Sequence, residues 1–205
     1  MGAAMPEKPV RKSDLTRSRV MDGAARVLRQ RGYAGTRLSE IAELAGLLPA
    51  NIYYYFDSKD DLIEQVMEVG VNRGFGAVRQ RVEALGPDAA PLARLRAAIA
   101  AHLEMNLAQD DYASATIRCL SQVPDDMRER QLENERSFGR YWRQIIIDCQ
   151  ADGSCRADLH PSAVRMLLIG MLNWAVEWYK PGELAPEDIA ETAVSLILEG
   201  FSLKA

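Results

Sequence analysis

The chain has 205 residues, 48% of them hydrophobic, and a net charge of −4, so it can bury a core without disulfides or metals. Three cysteines without a Cys-x-x-Cys pair and two distant histidines argue against a disulfide framework, a metal centre and acid–base catalysis. No apolar run reaches the roughly 18 residues of a membrane span, and no secretory signal opens the chain. We therefore expect a cytoplasmic protein that is not an enzyme and uses no cofactor.

Charge is distributed unevenly along the chain. Residues 1–60 carry 10 Lys and Arg against 7 Asp and Glu, whereas residues 61–205 carry 15 against 22. A basic N-terminal part on an acidic body indicates that this end meets a polyanion. Residues 1–12 are predicted to form a flexible basic arm, which is either a solvated tail or a segment that adds salt-dependent affinity for DNA.

Helical periodicity begins where this arm ends, and alternating β-branched runs are absent throughout, which predicts an all-α fold. A first helix is predicted over residues 13–31, ended by Gly32, because glycine adopts the left-handed conformation that follows many helices. A second helix is predicted over residues 37–45, with Thr36 as its N-cap and Gly46 after its last turn.

A third, short helix is predicted over residues 49–55. Pro49 stands at its first position, where the missing N–H leaves no hydrogen bond unmade. Two short helices joined by about three residues that include a glycine are typical of a helix-turn-helix. We therefore expect a helix-turn-helix DNA-binding domain over residues 13–60.

Residues 61–205 are predicted to form a second helical domain. Ser58 should cap a long fourth helix. Its three glycines favour close helix packing or local bending over a nucleotide-binding loop, because no strand precedes them. Two strongly apolar helices are expected near the chain's end, over residues 162–179 and 186–203. Between them and the fourth helix, we predict helices over residues 92–108, 112–122 and 125–151, which gives about nine in all.

Residues 32–62 read GYAGTRLSEIAELAGLLPANIYYYFDSKDDL. This stretch resembles the DNA-binding motif of the TetR family of bacterial regulators, with Gly32-Tyr33, Ile41-Ala42, Ala45-Gly46 and Ser58-Lys59 in register. The resemblance implies a three-helix DNA-binding domain followed by a helical ligand-binding and dimerisation domain. It also implies a transcriptional repressor that binds a palindromic DNA operator as a homodimer and is released by a small hydrophobic effector.

The same resemblance identifies the residues expected at the DNA. Thr36 and Lys59 are expected to hold phosphates, and Asn51 and Ala50 suit an adenine edge and a thymine methyl group. Tyr53 is equally consistent with core packing, and Leu48 stands where the family often has serine. The complete set is Thr36, Arg37, Ser39, Pro49, Ala50, Asn51, Tyr53, Tyr54, Tyr55 and Lys59.

The segment GMLNWAVEWYKPGE, residues 170–183, resembles regulators of fatty-acid and sterol catabolism that respond to acyl-CoA thioesters. It implies an effector such as an acyl-CoA, although its tryptophans are equally consistent with interface packing. Apolar residues on the inner faces of the intervening helices complete the expected ligand site. The candidates are Met105, Ile117, Leu120, Phe138, Trp142, Met171, Trp174 and Trp178.

Helices 162–179 and 186–203 are too apolar to face solvent and should form a symmetric dimer interface. A dimer is also required because two recognition helices must reach half-sites about 34 Å apart. Two alternatives for control of DNA binding remain open. One is a protein partner in place of a small ligand, and the other is a thiol switch at Cys149 and Cys155.

Overall fold

A computed structural model describes residues 11–108 and 110–201. Over these residues it forms ten helices and no strand, which confirms the all-α prediction. The helices are α1 (Lys12–Gly35), α2 (Leu38–Ala45), α3 (Pro49–Ile52), α4 (Lys59–Glu83), α5 (Pro91–Leu107), α6 (Asp111–Cys119), α7 (Asp125–Asn134), α8 (Arg136–Ala151), α9 (Pro161–Trp178) and α10 (Pro186–Phe201).

Ten helices are described where about nine were predicted, because residues 125–151 form two helices instead of one. The break lies at Glu135, where ψ is −10°, far from the roughly −42° of a regular α-helix. Neither glycine nor proline marks this position, so the pattern of residue types gave no signal. The break lets α8 pack against α5 and α9 independently of α7, which packs against α4.

Two predicted segments reach beyond the described residues. Most of the expected basic arm, residues 1–10, lies outside them, and Lys12 already belongs to α1. The last predicted helix, residues 186–203, is described as far as Phe201. Across the described part of the chain, no helix combines the length and the apolar character required to cross a membrane.

The N-terminal core does not end at residue 60, where the predicted domain boundary lies. Leu28, Ile41 and Ile52 of the first three helices pack in one cluster with Met67 of α4 and Cys119 of α6. A second cluster holds the later part of α4 together with α5, α8, α9 and α10. Helix α4 therefore belongs to both cores, and a change near its middle reaches both.

Gly70 allows α4 and α6 to pack closely. A Cβ atom built on Gly70 would lie 2.6 Å from the carbonyl oxygen of Tyr112, whereas one built on Gly76 would meet nothing within 4 Å. Of the two predicted roles of the α4 glycines, close packing is found at Gly70 but not at Gly76, which faces open space.

Gly70→Ala should destabilise the fold by about 1–3 kcal/mol, because backbone must move to accept the added methyl group. Gly76→Ala, the matched control on the same helix, should stabilise it by roughly 0.5–1 kcal/mol through its lower backbone entropy when unfolded. Urea unfolding followed by circular dichroism measures both. Equal changes in the two variants would contradict the close approach at Gly70.

Candidate functional site

The helix-turn-helix forms largely as the sequence indicates. Helix α2 buries Ile41, Ala42 and Ala45 against the N-terminal core, and Gly46 ends it with φ at +68°. Because this left-handed conformation favours glycine, the chain can turn at once into α3. Pro49 begins α3 as predicted.

Helix α3 is shorter than predicted and ends at Ile52. Residues 53–55 continue as a turn, in which the Tyr55 N–H donates to the Ile52 carbonyl over 2.9 Å. Ile52 and Phe56 are buried on either side and fix this turn to the core. The tyrosines are thus presented by a turn braced at both ends.

This segment leaves several of the predicted DNA-binding residues exposed together. Tyr54 is 83% exposed and Tyr53 is 58% exposed, so Tyr53 does not pack in the core of this chain. Tyr55 is half-buried against the core, and Asn51 is also half-buried. The exposed predicted residues are Arg37, Ser39, Pro49, Ala50, Tyr53 and Tyr54. Leu48, which sequence reasoning did not include, is 71% exposed beside them.

Thr36 is placed differently from the prediction. Its side chain is buried, and its hydroxyl donates to the Gly32 carbonyl over 2.7 Å. A hydroxyl has a single hydrogen, so in this conformation it has none to offer a phosphate. The prediction that Thr36 is the N-cap of α2 was also wrong, since Arg37 occupies that position. Thr36 closes the turn after α1 instead.

Lys59 lies half-buried at the first position of α4. Its Nζ donates to the Tyr33 carbonyl over 3.3 Å and lies 4.9 Å from the centre of the Tyr33 ring. The Ser58 hydroxyl caps the helix by accepting from the Asp61 N–H over 3.0 Å, as predicted. An ammonium group has three hydrogens, so Nζ can still donate to a phosphate.

A cavity of about 90 Å³ lies between α4, α5, α6, α8 and α9. Four of the predicted ligand residues line it, namely Met105, Ile117, Phe138 and Trp142. Glycines 70 and 74 of α4 line it as well, so the fourth helix forms part of its wall.

The other four predicted ligand residues do not line this cavity. Leu120 packs against the N-terminal core. Met171, Trp174 and Trp178 are 42%, 66% and 49% exposed on the outer face of α9. An apolar residue on α9 can face either the cavity or the outside, and periodicity alone did not separate the two faces.

Polar side chains that sequence reasoning missed also line the cavity. His102 Nε2 lies 2.8 Å from Asn173 Oδ1, and Asn106 Nδ2 donates to the same oxygen over 3.2 Å. Burial lowers the pKa of His102 to about 4, against a weaker effect of its bond to Asn173. The imidazole is therefore neutral near pH 7.

Two charged side chains line the cavity at α8 and α9. Burial raises the pKa of Glu135, and the charge of Arg165 acts in the opposite direction. Both residues line the cavity together with Gly139, where an added Cβ would lie 2.8 Å from Arg165 Nη1. The cavity is thus apolar along much of its wall but carries ionisable groups.

An outer groove adjoins the cavity. Ile117 and Asn173 line both, so only these side chains and their neighbours separate the two spaces. The groove of about 470 Å³ runs between α1, α6 and α9. Arginines 29, 31 and 118, Trp174 and Glu177 are among its lining residues.

Helix α6 connects the cavity to the helix-turn-helix. Thr116 and Ile117 line the cavity, while the Tyr112 hydroxyl donates to Asp22 of α1 over 2.7 Å. Arg118 Nη1 donates to the Arg29 carbonyl over 3.0 Å. Just beyond α6, Gln122 Oε1 accepts from the Tyr33 N–H over 3.0 Å. A shift of α6 would therefore move α1 directly.

The Cys149 and Cys155 side chains lie within hydrogen-bonding distance of each other, but their environment disfavours a thiol switch. Cys149 and Cys155 are both fully buried, and burial raises the pKa of each thiol. Reaction with an oxidant requires an accessible thiolate, which this environment disfavours. Among the described residues, no group of three His, Cys, Asp or Glu side chains is placed to hold a metal ion.

Two family models match the chain. Residues 20–66 match the model for bacterial regulatory proteins of the tetR family. Residues 88–201, more than half of the chain, match the model for the tetracyclin repressor-like C-terminal domain. Together they cover both the helix-turn-helix and the helices around the cavity.

Individual proteins are similar over almost the whole length. The transcriptional repressor KstR2 of Mycolicibacterium smegmatis is 27% identical over 204 residues, which cover 98% of this chain and 96% of that protein. The structure of AibR with isovaleryl coenzyme A and operator DNA has a TM-score of 0.80 at 23% identity, covering 88% of this chain and 97% of that one. The ketosteroid regulator KstR2 of Mycobacterium tuberculosis has a TM-score of 0.78 at 20% identity, covering 92% and 95%. The two structures share the fold of this chain.

Proposed function

The chain belongs to the TetR family of transcriptional repressors and is not an enzyme; from this premise we propose that it binds a palindromic operator as a homodimer and is released by a small hydrophobic effector in the cavity. One observation carries the proposal. Helix α4 begins with Lys59 beside the helix-turn-helix and lines the cavity with Gly70 and Gly74. A single rigid element thus joins the two sites.

The DNA-binding part of the proposal rests on the exposed residues of α2, α3 and the tyrosine turn. Tyr54 and Tyr53 are large side chains held in solvent by a braced turn, and the half-buried Asn51 can pair with an adenine edge. Lys59 adds a charge that holds a phosphate and positions the surface. Thr36 supports the turn from within and is left out of the proposed DNA-binding surface.

The dimer is proposed to form through α9 and α10. Leu167, Met171, Trp174 and Trp178 recur along one side of α9 and are 76%, 42%, 66% and 49% exposed. Leu196 of α10 is 67% exposed. Continuous apolar surface of this kind is rare on a protein that works as a monomer. Pairing of the same face in two copies would cover it.

An acyl-CoA is the effector class that we propose. The acyl group would enter the cavity beside Phe138 and Met105, and the adjoining groove would take the nucleotide part. The arginines of the groove are each paired with a carboxylate in the single chain and would exchange that partner for a phosphate of the coenzyme. AibR, which has the same fold, was solved with isovaleryl coenzyme A. The small volume of the cavity favours a short acyl group in this conformation.

Release would follow from a shift between two conformations of the dimer. A ligand weakens DNA binding only if it binds better to the conformation whose recognition surfaces are wrongly spaced. Helices α4 and α6 line the cavity and also contact the helix-turn-helix, so they are the elements that would transmit the change.

Selection of DNA sites from a random library, followed by footprinting, tests whether the protein binds its operator as a dimer. Two inverted half-sites about 34 Å apart are expected, and a single unrepeated site would contradict the proposal.

Gly74→Ala should raise the concentration of isovaleryl-CoA needed for half-release several-fold while operator affinity stays within about twofold. The added methyl group would lie 3.0 Å from Met105 Cε inside the cavity. Gly76→Ala is the matched control, because it stiffens the same helix without a new contact. Fluorescence anisotropy of labelled operator gives both quantities. Equal shifts in the two variants would assign the effect to helix stiffness, and no shift in either would argue against α4 as the transmitting element.

A further inference from the structure

Three buried polar atoms on the cavity wall lack hydrogen-bond partners within residues 11–108 and 110–201. They are His102 Nδ1, Asn106 Oδ1 and Trp142 Nε1. Their side chains are only 4%, 3% and 1% exposed, and all three residues line the cavity. Most buried polar atoms in folded proteins are paired, so three unpaired atoms at one cavity indicate that a ligand group belongs between them.

The surrounding bonds assign a role to each atom. Asn173 Oδ1 only accepts hydrogen bonds, so the Nε2 of neutral His102, 2.8 Å away, carries the hydrogen and Nδ1 is left as an acceptor. Asn106 donates through Nδ2 to the same oxygen, which leaves its Oδ1 as a second acceptor. The Trp142 indole N–H only donates. The cavity therefore presents two acceptors and one donor.

The residues that carry these atoms are neighbours on the cavity wall. His102 and Asn106 are four residues apart on α5 and therefore share one face of that helix. The rings of His102 and Trp142 meet edge to face, with centroids 5.8 Å apart. A ligand in the cavity would thus lie beside both the indole and the imidazole.

We propose that the effector carries a hydroxyl group, which accepts from Trp142 Nε1–H and donates to His102 Nδ1 or Asn106 Oδ1. A ketone or thioester carbonyl only accepts and would leave both acceptors unpaired, as would a carboxylate. A hydroxyl pairs the donor and one acceptor, whereas an ammonium group pairs only the acceptors, leaves the indole N–H unpaired and adds the larger cost of burying a charge. This inference rests on the proposed function, since it specifies the effector of the same cavity. It narrows the class of effector to small molecules that carry a hydroxyl group, such as the hydroxyacyl thioesters.

The test compares ligands that differ only by the hydroxyl. The full-length dimer is titrated with butyryl-CoA and with its 2-, 3- and 4-hydroxy derivatives, and with cyclopentanol against cyclopentane as a pair without coenzyme A. Calorimetry gives the affinities, and the indole N–H resonances of the ¹⁵N-labelled protein report on Trp142. At least one hydroxyacyl thioester should bind about tenfold more tightly than butyryl-CoA, as expected for a hydrogen bond gained in a buried site. The Trp142 resonance should move downfield with it.

Trp142→Phe keeps an aromatic ring and removes the donor, so it should abolish the preference for the hydroxyl. Met105→Leu is the control on the apolar part of the cavity wall, and it should change the affinity for both members of a pair alike. The preference of the unaltered protein is measured without either variant, so a variant that fails to fold leaves the test standing.

Equal affinities for hydroxylated and plain ligands, with an unmoved Trp142 resonance, would overturn the inference. A water molecule would then serve these atoms, and release of DNA by plain thioesters would still uphold the proposed function. If no thioester binds but cyclopentanol binds more tightly than cyclopentane, the hydroxyl inference stands and the thioester effector is rejected.

Discussion

Replacing Leu167 by glutamate should separate the dimer and reduce operator affinity by at least about a hundredfold. Leu167 is 76% exposed in the single chain and starts the apolar stripe of α9 that continues through Met171, Trp174 and Trp178. A cavity-wall residue would be buried in the single chain, whereas these are not. Placing a carboxylate in a paired apolar face costs several kcal/mol for each buried copy, and two-fold symmetry introduces two copies.

Loss of the dimer would remove the gain that comes from linking two DNA-binding domains. Once one domain is bound, the other acts at a high effective concentration, which can raise affinity by roughly 10²–10⁴. Gly170 lies on the same side of α9 as the apolar stripe, and a Cβ added there would meet nothing within 4 Å of the single chain. The face is therefore open to a partner helix.

Sedimentation velocity and anisotropy on the same samples test this expectation. Leu132→Glu is the matched control, since Leu132 is 47% exposed on α7, away from the α9 stripe. It should leave both the mass and operator affinity unchanged. A Leu167→Glu protein that remains dimeric and binds operator normally would show that the interface lies elsewhere.

Tyr54→Ala should weaken operator binding by roughly a hundredfold or more without lowering stability. Tyr54 is 83% exposed, so truncation removes little packing within the chain. A side chain that contacts DNA contributes about 1–3 kcal/mol, and a symmetric dimer loses that contribution twice. Because Ile52 and Phe56 hold the turn from both sides, Tyr54 is presented in a defined position, and that rigidity makes the loss large.

Leu85→Ala provides the control for Tyr54→Ala. Leu85 is 44% exposed just beyond α4, at the far end from Lys59. Both variants should melt within about two degrees of the unaltered protein, and only Tyr54→Ala should lose operator affinity. Normal operator affinity for Tyr54→Ala would remove the tyrosine turn from the DNA-binding surface.

The sequence predicted the helix-turn-helix because local signals determine it. Gly46 in the left-handed conformation and Pro49 at the first position of α3 are properties of single residues. The predicted end of α3 was wrong, because no residue in the run of tyrosines is of a type that ends a helix. The predicted role of Thr36 as the N-cap of α2 was also wrong, because its hydroxyl donates a hydrogen bond back to Gly32 instead of accepting one from α2.

The cavity was predictable only in part. Phe138 and Trp142 could be assigned to an inner face because α8 is amphipathic. The polar side chains of the cavity could not be assigned to it from the sequence. His102 and Asn173 are 71 residues apart and meet only through the packing of α5 on α9. Similarly, the apolar residues of α9 look alike in the sequence, and only the fold distinguishes the buried Leu172 from the exposed Trp174.

A small hydrophobic ligand in the cavity between α4, α5, α6, α8 and α9 is proposed to release the operator. The most direct measurement is anisotropy of labelled operator, titrated with isovaleryl-CoA, its hydroxylated analogue, steroid-derived acyl-CoAs and the free acids. We expect tight, salt-sensitive binding that at least one thioester abolishes and its free acid does not. Tight binding that no thioester alters, even at concentrations that saturate the protein in calorimetry, would contradict the account and separate the cavity from control of DNA binding.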